Sequence, residues 1–419
     1  MKAARWSWWL VGLLFLTATA SYLCRVNLSV AGVLMMKEFG LSQVVMGRVF
    51  SAFLLGYALF QVPAGMLADR YGARRVLAGA ALWWVAGTVL LAAIGWGPLA
   101  LGAGAMLTAL LVVRFVIGVG EAPTFPAAAQ AVARWLPPTR RGSANGLVIS
   151  AIGVGSAVAP PLISVVMVRW GWRAALLVSA VPALAVGLAW LATREPQAPG
   201  FTSETAVSRG AAGRLSSRSF VLLTLSYTLQ GYVAYIFVFW FYLYLVEVRH
   251  FDLLRGALFT SLPWVLSIVS IPLGGIVSDR LVESRLGLSW GRRLVPLVAF
   301  SGSGVFLALG AHTSNAYVAA VCLALATALV VSIEGPFWAT MMEIAGQRSG
   351  TAGGVMNMGS NLGGLISPAL TPVLAASMGW ENALHVAAVI AVLAGLLWFG
   401  IAGRPERSKL PEQFHPTGG

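Results

Sequence analysis

The sequence predicts an all-α membrane protein with twelve transmembrane helices in two pseudo-symmetric six-helix bundles. Two observations lead to this fold class: the chain is far more apolar than a water-soluble protein, and its two halves repeat the same motifs. Of its 419 residues, 58% are hydrophobic and only 10% are charged, and the mean hydropathy is +0.82. This composition excludes a water-soluble globular domain and makes the lipid bilayer the solvent in which the chain folds.

Apolar runs separated by charged or Pro- and Gly-rich breaks predict the individual helices. A helix needs about 20 apolar residues to cross a hydrocarbon core of roughly 30 Å, and in lipid its backbone amides must be bonded within the helix. The runs of this kind predict helices at 8–36, 46–68, 76–96, 101–133, 143–167, 173–192, 219–246, 256–278, 294–311, 315–343, 351–377 and 381–402.

Positive charge is distributed unevenly between the two sides of these helices. A net charge of +14 would suggest nucleic-acid binding in a soluble protein, but here the basic residues lie at helix ends, so we predict no nucleic-acid partner. If the N-terminus is cytoplasmic, most Lys and Arg residues fall inside, and the outside loops and helix ends hold only Lys37, Arg48, Arg169, Arg173, Arg249 and Arg255. This asymmetry predicts that both termini are cytoplasmic. Only three of the 28 basic residues are Lys, a bias that points to a GC-rich bacterial genome, so we expect the membrane to be a bacterial inner membrane.

The two halves of the chain repeat at fixed offsets. The segment 193–218, rich in Ser, Gly and Arg, predicts a cytoplasmic linker between an N-terminal bundle (1–192) and a C-terminal bundle (219–402), with residues 403–419 as a cytoplasmic tail. Two parallel repeats place a substrate site at their interface near the bilayer midplane. The repeated positions are Gly65-x-x-x-Asp69-Arg70 with Gly275-x-x-x-Asp279-Arg280 (offset 210), Gly146, Gly155, Pro160 and Trp172 with Gly354, Gly363, Pro368 and Trp380 (offset 208), and Glu121-x-Pro123 with Glu334-x-Pro336 (offset 213).

The N-terminal apolar run imitates a cleavable signal peptide, because Lys2 and Arg5 precede it. The apolar pattern continues past Arg25 to Met36 and makes a full span, so we predict that it is retained as helix 1. The cysteines and histidines have no spacing typical of a metal site or a disulfide framework. We therefore predict no metal site, no cofactor and no catalytic residue.

The loop after helix 2 carries the most specific motif in the chain, the run 65–75 with the pattern G-x-x-x-D-R-x-G-x-R-R. This pattern resembles the cytoplasmic signature of the major facilitator superfamily, and the resemblance covers the whole chain. It implies that Asp69 and Arg70, with Asp279 and Arg280 in the second half, latch the outward-open state. The alternative is an ordinary cluster of arginines that only sets the topology of the helices.

Four ionisable residues remain deep within the predicted helices, namely Arg25, Arg114, Glu121 and Glu334. Charged groups at that depth are costly, so they are functional candidates by default. Arg114 and Glu121 are seven residues apart on helix 4, which places them on one face about 10.5 Å apart along the axis. That spacing is too long for a simple intrahelical pair and favours a partner from helix 1 or a ligand.

The motifs around these residues resemble the anion:cation symporter branch of the superfamily. They are the helix 1 run Tyr22-x-x-Arg25-x-Asn27-Leu-Ser-Val-Ala, the helix 2 run Tyr57-x-x-x-Gln61-x-Pro63-x-Gly65, and Arg114-x6-Glu121. The branch includes bacterial sugar-acid importers and the animal phosphate, sialic acid and vesicular glutamate transporters. The resemblance implies that Arg25 anchors a substrate carboxylate, that Tyr22 and Tyr57 line the site, and that Arg114 and Glu121 form the gate and proton site. A fixed Arg25–Glu121 ion pair that only holds helices 1 and 4 together is the alternative.

One position departs from the pattern of that branch. Bacterial sugar-acid members commonly carry an acidic residue just before the helix 1 arginine, and this chain has Cys24 there. Glu334, the repeat-equivalent of Glu121, is a candidate for the missing proton site. It is equally a candidate for a structural hydrogen bond to the backbone freed by Pro336.

Amide and aromatic residues of the second half are candidates to complete the pocket. Asn357 and Asn361 lie one turn apart on helix 11, which suits a polyhydroxylated ligand. Trp338 and Asn361 also resemble family positions near the Gly335-Pro336 break and before Gly363-Gly364. The predicted substrate-binding set is Tyr22, Arg25, Asn27, Tyr57, Gln61, Tyr235, Trp338, Asn357 and Asn361, with Arg114, Glu121 and Glu334 as the proton-coupling set.

Together these features predict a secondary transporter that imports a small organic anion, such as a sugar acid or carboxylate, with protons. The proton gradient is its energy source, since importing a monoanion into a negative-inside cell costs about 2.3 kcal/mol per 100 mV and one proton makes the step electroneutral. The alternatives are an antiporter or exporter and a sodium-coupled carrier. A receptor or membrane-embedded enzyme has no supporting motif. We expect a monomer to be the functional unit.

Overall fold

The computed structural model describes residues 2–96, 102–136, 138–194, 218–345 and 349–401, and the regular structure in these ranges is entirely helical. Most of the predicted linker (193–218) and all of the predicted C-terminal tail (403–419) lie outside them. The N-terminal half contains α1 (Lys2–Phe39), α2 (Gln43–Tyr71), α3 (Ala73–Ala93), α4 (Ala103–Glu121), α5 (Thr124–Trp135) and α6 (Pro138–Ala192).

The C-terminal half begins with α7 (Arg218–Phe239), the short α8 (Phe241–Leu243) and a π-helical turn (Tyr244–Val248). It continues with α9 (Leu253–Glu283), α10 (Gly287–His312), α11 (Ala316–Ser332), α12 (Glu334–Ala345), α13 (Ser349–Leu396) and a final 3-10 turn (Leu397–Gly400). The single helix predicted at 219–246 is therefore α7 followed by a short α-helical turn and a wider π-helical turn.

Ten segments within the described ranges are long and apolar enough to cross a membrane. Two of them, Gly146–Ala192 and Ala352–Gly400, have 47 and 49 residues. As single helices they would be about 70 Å long, more than twice the thickness of the hydrocarbon core. Each is interrupted by a glycine with a left-handed backbone, Gly171 at φ 80° and Gly379 at φ 85°. Divided at these glycines, the segments give twelve spans, and the predicted all-α fold is confirmed.

Two of the predicted spans are each built from two helices. The span predicted at 101–133 breaks between α4 and α5, and the one predicted at 315–343 breaks between α11 and α12. Pro123 lies in the first break and Pro336 in the first turn after the second. A proline has no N–H to donate and its ring clashes with the carbonyl one turn earlier, so an uninterrupted helix is unfavourable there. The two breaks fall at the repeat-related Glu-x-Pro motifs.

The two halves contact each other from one end of the bundle to its middle. We call this end, where α1 ends and α2 begins, the distal end, and the opposite end the proximal end. The contacts include Lys37 Nζ with Glu247 Oε1 (2.9 Å), Trp380 Nε1 donating to Gln43 Oε1 (3.1 Å), Ser51 Oγ donating to the Leu365 carbonyl (2.8 Å), Ser261 Oγ donating to the Ala157 carbonyl (2.6 Å), and the hydroxyls of Ser164 and Tyr242 (2.9 Å). The distal end is therefore closed, and we call this set of contacts the distal seal.

Candidate functional site

Arg25 and Glu121 form a buried ion pair in the middle of the N-terminal half. Arg25 lies on α1 and Glu121 is the last residue of α4, and their side chains are 2% and 1% exposed. Arg25 Nε donates to Glu121 Oε1 at 2.8 Å, and Nη2 lies 2.7 Å from the same oxygen. Ser21, one turn before Arg25, donates its hydroxyl to that oxygen at 2.9 Å. Of the two partners that the spacing of Arg114 and Glu121 favoured, a helix 1 residue or a ligand, the structure shows a helix 1 residue, Arg25, bound to Glu121.

Aromatic rings enclose the Arg25 guanidinium on its remaining sides. Its Cζ lies 4.6 Å from the ring centre of Tyr22 and 4.5 Å from that of Tyr57, and Nη1 donates to the Tyr22 hydroxyl at 3.2 Å. The ring of Phe53 is 5.3 Å away. Tyr235 of α7, in the other half, also interacts with this guanidinium. Cations over ring faces are stabilised without hydrogen bonds. Tyr22, Tyr57 and Tyr235, all predicted to line the site, are brought together around Arg25 at the junction of the halves.

Arg114 lies beside this pair but is not bonded to it. Its side chain is 0% exposed, and its Nε, Nη1 and Nη2 atoms have no hydrogen-bond partner in the described part of the chain. Its Cζ lies 4.6 Å from the ring centre of Phe53, and it interacts electrostatically with both Arg25 and Glu121. Buried polar groups are normally hydrogen-bonded, so a guanidinium with three unsatisfied nitrogens requires an explanation.

Glu334 occupies the equivalent place in the second half but has different partners. It is the first residue of α12 and is partly buried. Its carboxylate accepts a hydrogen bond from the Tyr227 hydroxyl at 2.8 Å and from Gln230 Nε2 at 3.1 Å. Both donors are neutral and both belong to α7. The two repeat-related carboxyls therefore differ, since Glu121 is paired with a cation and Glu334 with neutral donors.

The other predicted pocket residues are distributed over several helices. Asn27 donates from Nδ2 to Ser179 Oγ at 2.9 Å, so it faces α6 and not the guanidinium of Arg25 two residues earlier. Asn361 is buried on α13, one turn before Gly364, which lies against the Tyr235 ring. Trp338 is exposed but interacts with Glu334. Asn357 and Gln61 are partly buried. The binding roles of these residues remain predictions.

An arginine that the sequence analysis did not single out holds the proximal ends of the second half together. Arg292 of α10 lies with Nη1 2.5 Å from Asp279 Oδ1 and with Nε 2.8 Å from Glu343 Oε1. It thus joins α9, α10 and α12. Arg280, predicted beside Asp279 as a latch residue, is exposed, as is Arg70 in the first half. The side chain of Asp69 lies outside the described part of the chain, and the latch role of these residues stays a prediction.

Within the described ranges, no group of three or more His, Cys, Asp or Glu side chains is arranged to hold a metal ion. The functional groups that the described residues bring together around Arg25 and Glu334 are guanidinium, carboxyl, phenol, hydroxyl and amide groups. These groups bind anions and exchange protons. The arrangement fits a site that binds a ligand and releases it unchanged.

Comparison with known proteins agrees with this fold. The Major Facilitator Superfamily profile matches residues 14–368 and 285–417. The chain is 34% identical over 379 residues to the probable sulfoacetate transporter SauU of Cupriavidus necator, covering 86% of this chain and 85% of that one. It is 28% identical over 400 residues to the hexuronate transporter of Bacillus subtilis, covering 91% and 92%.

A solved structure shows the same architecture at low sequence identity. A bacterial homolog of the human lysosomal transporter Spinster superposes with a TM-score of 0.77 at 18% identity, covering 94% of this chain and 96% of that one. This likeness concerns the fold, whereas the matched profile and the relative at 34% identity concern ancestry. The chain is a multi-pass membrane transporter, not an enzyme, and belongs to the Major Facilitator Superfamily.

Proposed function

We propose that the chain imports a small organic anion together with protons by alternating access. The observation that carries the proposal is the buried Arg25–Glu121 pair, in which one cation is shared between a titratable carboxyl and any anion that enters. The relatives transport sulfoacetate and hexuronate by name, which supports an organic acid as the substrate class.

Competition for Arg25 couples the anion to the proton. An anion that binds the guanidinium displaces Glu121, and a buried carboxylate that loses its counter-charge is stabilised by taking up a proton. Breaking such a buried pair without a replacement costs about 3–5 kcal/mol, because one charge is left uncompensated. Anion and proton binding therefore stabilise each other, and either one alone is unfavourable. The pair is thus not a fixed strut between α1 and α4 but the element that opens on loading.

The distribution of charge and the distal seal together support an orientation. Among the described residues, the arginines at the C-terminal ends of α2, α5, α6 and α9, namely Arg70, Arg134, Arg194 and Arg280, lie at the proximal end. The positive-inside rule therefore assigns that end to the cytoplasm of a bacterial inner membrane. The termini, linker and tail are then cytoplasmic as well. With the distal end closed, the site is shut off from the outside, which is the state from which an importer releases its cargo. A single chain contains the whole site, so a monomer suffices.

Uptake into proteoliposomes tests the proposal. We expect sulfoacetate or glucuronate to accumulate above equilibrium when the lumen is alkaline, and a sodium gradient alone to drive no accumulation. In Glu121→Gln, accumulation driven by the pH gradient is abolished, whereas exchange of internal for external anion is partly retained. Glu283→Gln, which removes an exposed proximal carboxylate, serves as the matched control and keeps both activities.

Three results would contradict the proposal. Unimpaired uphill uptake by Glu121→Gln removes that residue from coupling. Accumulation that requires an acidic lumen identifies an antiporter. Accumulation driven by sodium at equal pH identifies a sodium-coupled carrier.

A further inference from the structure

The unpartnered Arg114 guanidinium points to the charge of the substrate. An arginine stays protonated in a protein, so burial leaves a full positive charge with three unsatisfied nitrogens. Among the described residues, the acidic group beside Arg114 is Glu121, which already accepts hydrogen bonds from Ser21 and Arg25. Phe53 offers Arg114 a ring face but no acceptor. The missing acceptor has to come from outside the described chain.

The charges of the three buried groups determine how much negative charge the loaded site accepts. In the structure as it stands, Arg25 and Glu121 compensate each other, and Arg114 contributes one positive charge in excess. When a proton binds Glu121, as the proposed function requires, two guanidinium groups face the ligand with no protein carboxylate between them. An uncompensated buried charge is strongly unfavourable. A monoanion leaves one such charge in the loaded state, and a ligand with two negative charges leaves none.

The two guanidinium groups are close enough for one small molecule to reach both. Their Cζ atoms lie 5.3 and 4.6 Å from the centre of the same Phe53 ring, so they are separated by less than about 10 Å. Charge-assisted hydrogen bonds from guanidinium to an acidic group are about 2.8 Å long. A compact ligand with an acidic group at each end fits this separation.

We infer that the substrate is a small dianion, with one acidic group bound by Arg25 and the other by Arg114. This inference rests on the proposed function and narrows its substrate class. The relatives leave the point open, since sulfoacetate carries two acidic groups and a hexuronate carries one. The unsatisfied nitrogens of Arg114 decide between them. A sulfonate paired with a carboxylate and a pair of carboxylates present the same chemistry to the two arginines.

Matched ligands separate the number of charges from the size of the ligand. Glucarate and glucuronate share a six-carbon skeleton and differ in one carboxylate, and sulfoacetate differs from methanesulfonate by one carboxylate. Affinity for each is measured by isothermal titration on the full-length protein in detergent at fixed ionic strength. The variants are Arg114→Gln, Arg114→Lys and, as a control that loses one exposed charge of α2, Arg48→Gln.

We expect the protein to bind at least one dianion at least about tenfold more tightly than its matched monoanion. Arg114→Gln should remove this preference by weakening the dianion alone, Arg114→Lys should retain part of it, and Arg48→Gln should leave it unchanged. The inference is overturned if no dianion is preferred, or if Arg114→Gln weakens both members of a pair equally. Should Arg114→Gln fail to fold, a preference retained undiminished in Arg114→Lys, which cannot form the bidentate contact, overturns it as well.

The two proposals fail in different ways. Tight glucuronate binding with proton-driven uptake, but no dianion preference, refutes the dianion and leaves the symporter. A dianion preference that depends on Arg114, without any proton-driven accumulation, refutes the symport and leaves the two-arginine site.

Discussion

Reversing the charge of Lys37 should weaken the distal seal by an amount that the structure bounds. Lys37 Nζ lies 2.9 Å from Glu247 Oε1 across the two halves, and the side chains are 61% and 31% exposed. An ion pair this exposed contributes about 0.2–1 kcal/mol after screening by solvent and salt. Lys37→Glu removes that attraction and adds a repulsion of similar size. The free energy that favours the distally closed state over the open state should therefore fall by about 0.5–2 kcal/mol. This change raises the ratio of open to closed molecules by a factor of roughly 2 to 30.

The rate of modification of a cysteine within the seal reports this opening. Ser51 donates to the Leu365 carbonyl between the halves, so Ser51→Cys offers a membrane-impermeant maleimide a site that opening exposes. Of the two native cysteines, Cys24 is buried and Cys322 is partly exposed, so the variants are made in a Cys322→Ser background. We expect faster modification of Ser51→Cys in the Lys37→Glu background. The exchange Lys37→Glu with Glu247→Lys should restore the original rate, and the difference should shrink as ionic strength rises.

Two outcomes would refute this reasoning. An unchanged rate in Lys37→Glu means that the pair is a surface contact without influence on the seal. If the effects of Lys37→Glu and Glu247→Lys on the modification rate simply add in the double variant, the two residues do not interact across the halves.

Three further predictions concern coupling and packing. Glu334→Gln should reduce the charge moved inward per cycle by one, seen as a shifted reversal potential in proteoliposomes; an unshifted potential makes Glu334 structural. Gly118→Ala should lower the temperature of thermal unfolding, because the new methyl group meets the backbone carbonyl of Phe53 on α2. Such overpacking costs about 1–3 kcal/mol. Gly79→Ala places its methyl group in open space and should leave the unfolding temperature unchanged. Arg292→Gln should also lower that temperature, because it leaves Asp279 and Glu343 without their shared cation, whereas Arg280→Gln, at an exposed position, should have little effect; equal effects would show that Arg292 does not join the helices.

Apolar runs and the positions of charged residues were sufficient to predict the twelve spans. In lipid the backbone amides must be bonded within apolar helices, and most charged residues lie at the ends of those helices. The predicted bounds 101–133 and 315–343 run through both helix breaks, although Pro336 was expected to free a backbone group. A span is recognised by its average hydropathy, and Pro123 and Pro336 barely change that average while they remove backbone hydrogen bonds.

The candidate site was predictable in its chemistry but not in its pairing. Arg25, Arg114 and Glu121 stand out because charge is rare in membrane helices. Which arginine would bind Glu121 depends on how α1 crosses α4, and a sequence contains no such distance. Asn27 was grouped with Arg25 by motif, but two residues along a helix turn a side chain to the far side, where it meets Ser179. Arg292 was overlooked because it lies near a helix end, where arginines are common and where nothing in the sequence distinguishes one that joins helices from one that only sets the topology.

The interruptions at the two Glu-x-Pro motifs have a mechanical consequence. Each separates a segment of 12 residues, α5 in one half and α12 in the other, from the longer helix that precedes it. Pro123 and Pro336 have no backbone N–H, so one of the hydrogen bonds that resist bending is missing at each point, and such points are where helices kink. The carboxyls of Glu121 and Glu334 sit at these two points. A change of charge there acts at the base of a helical segment about 18 Å long, so a small change of tilt at the base becomes a larger displacement at the proximal end.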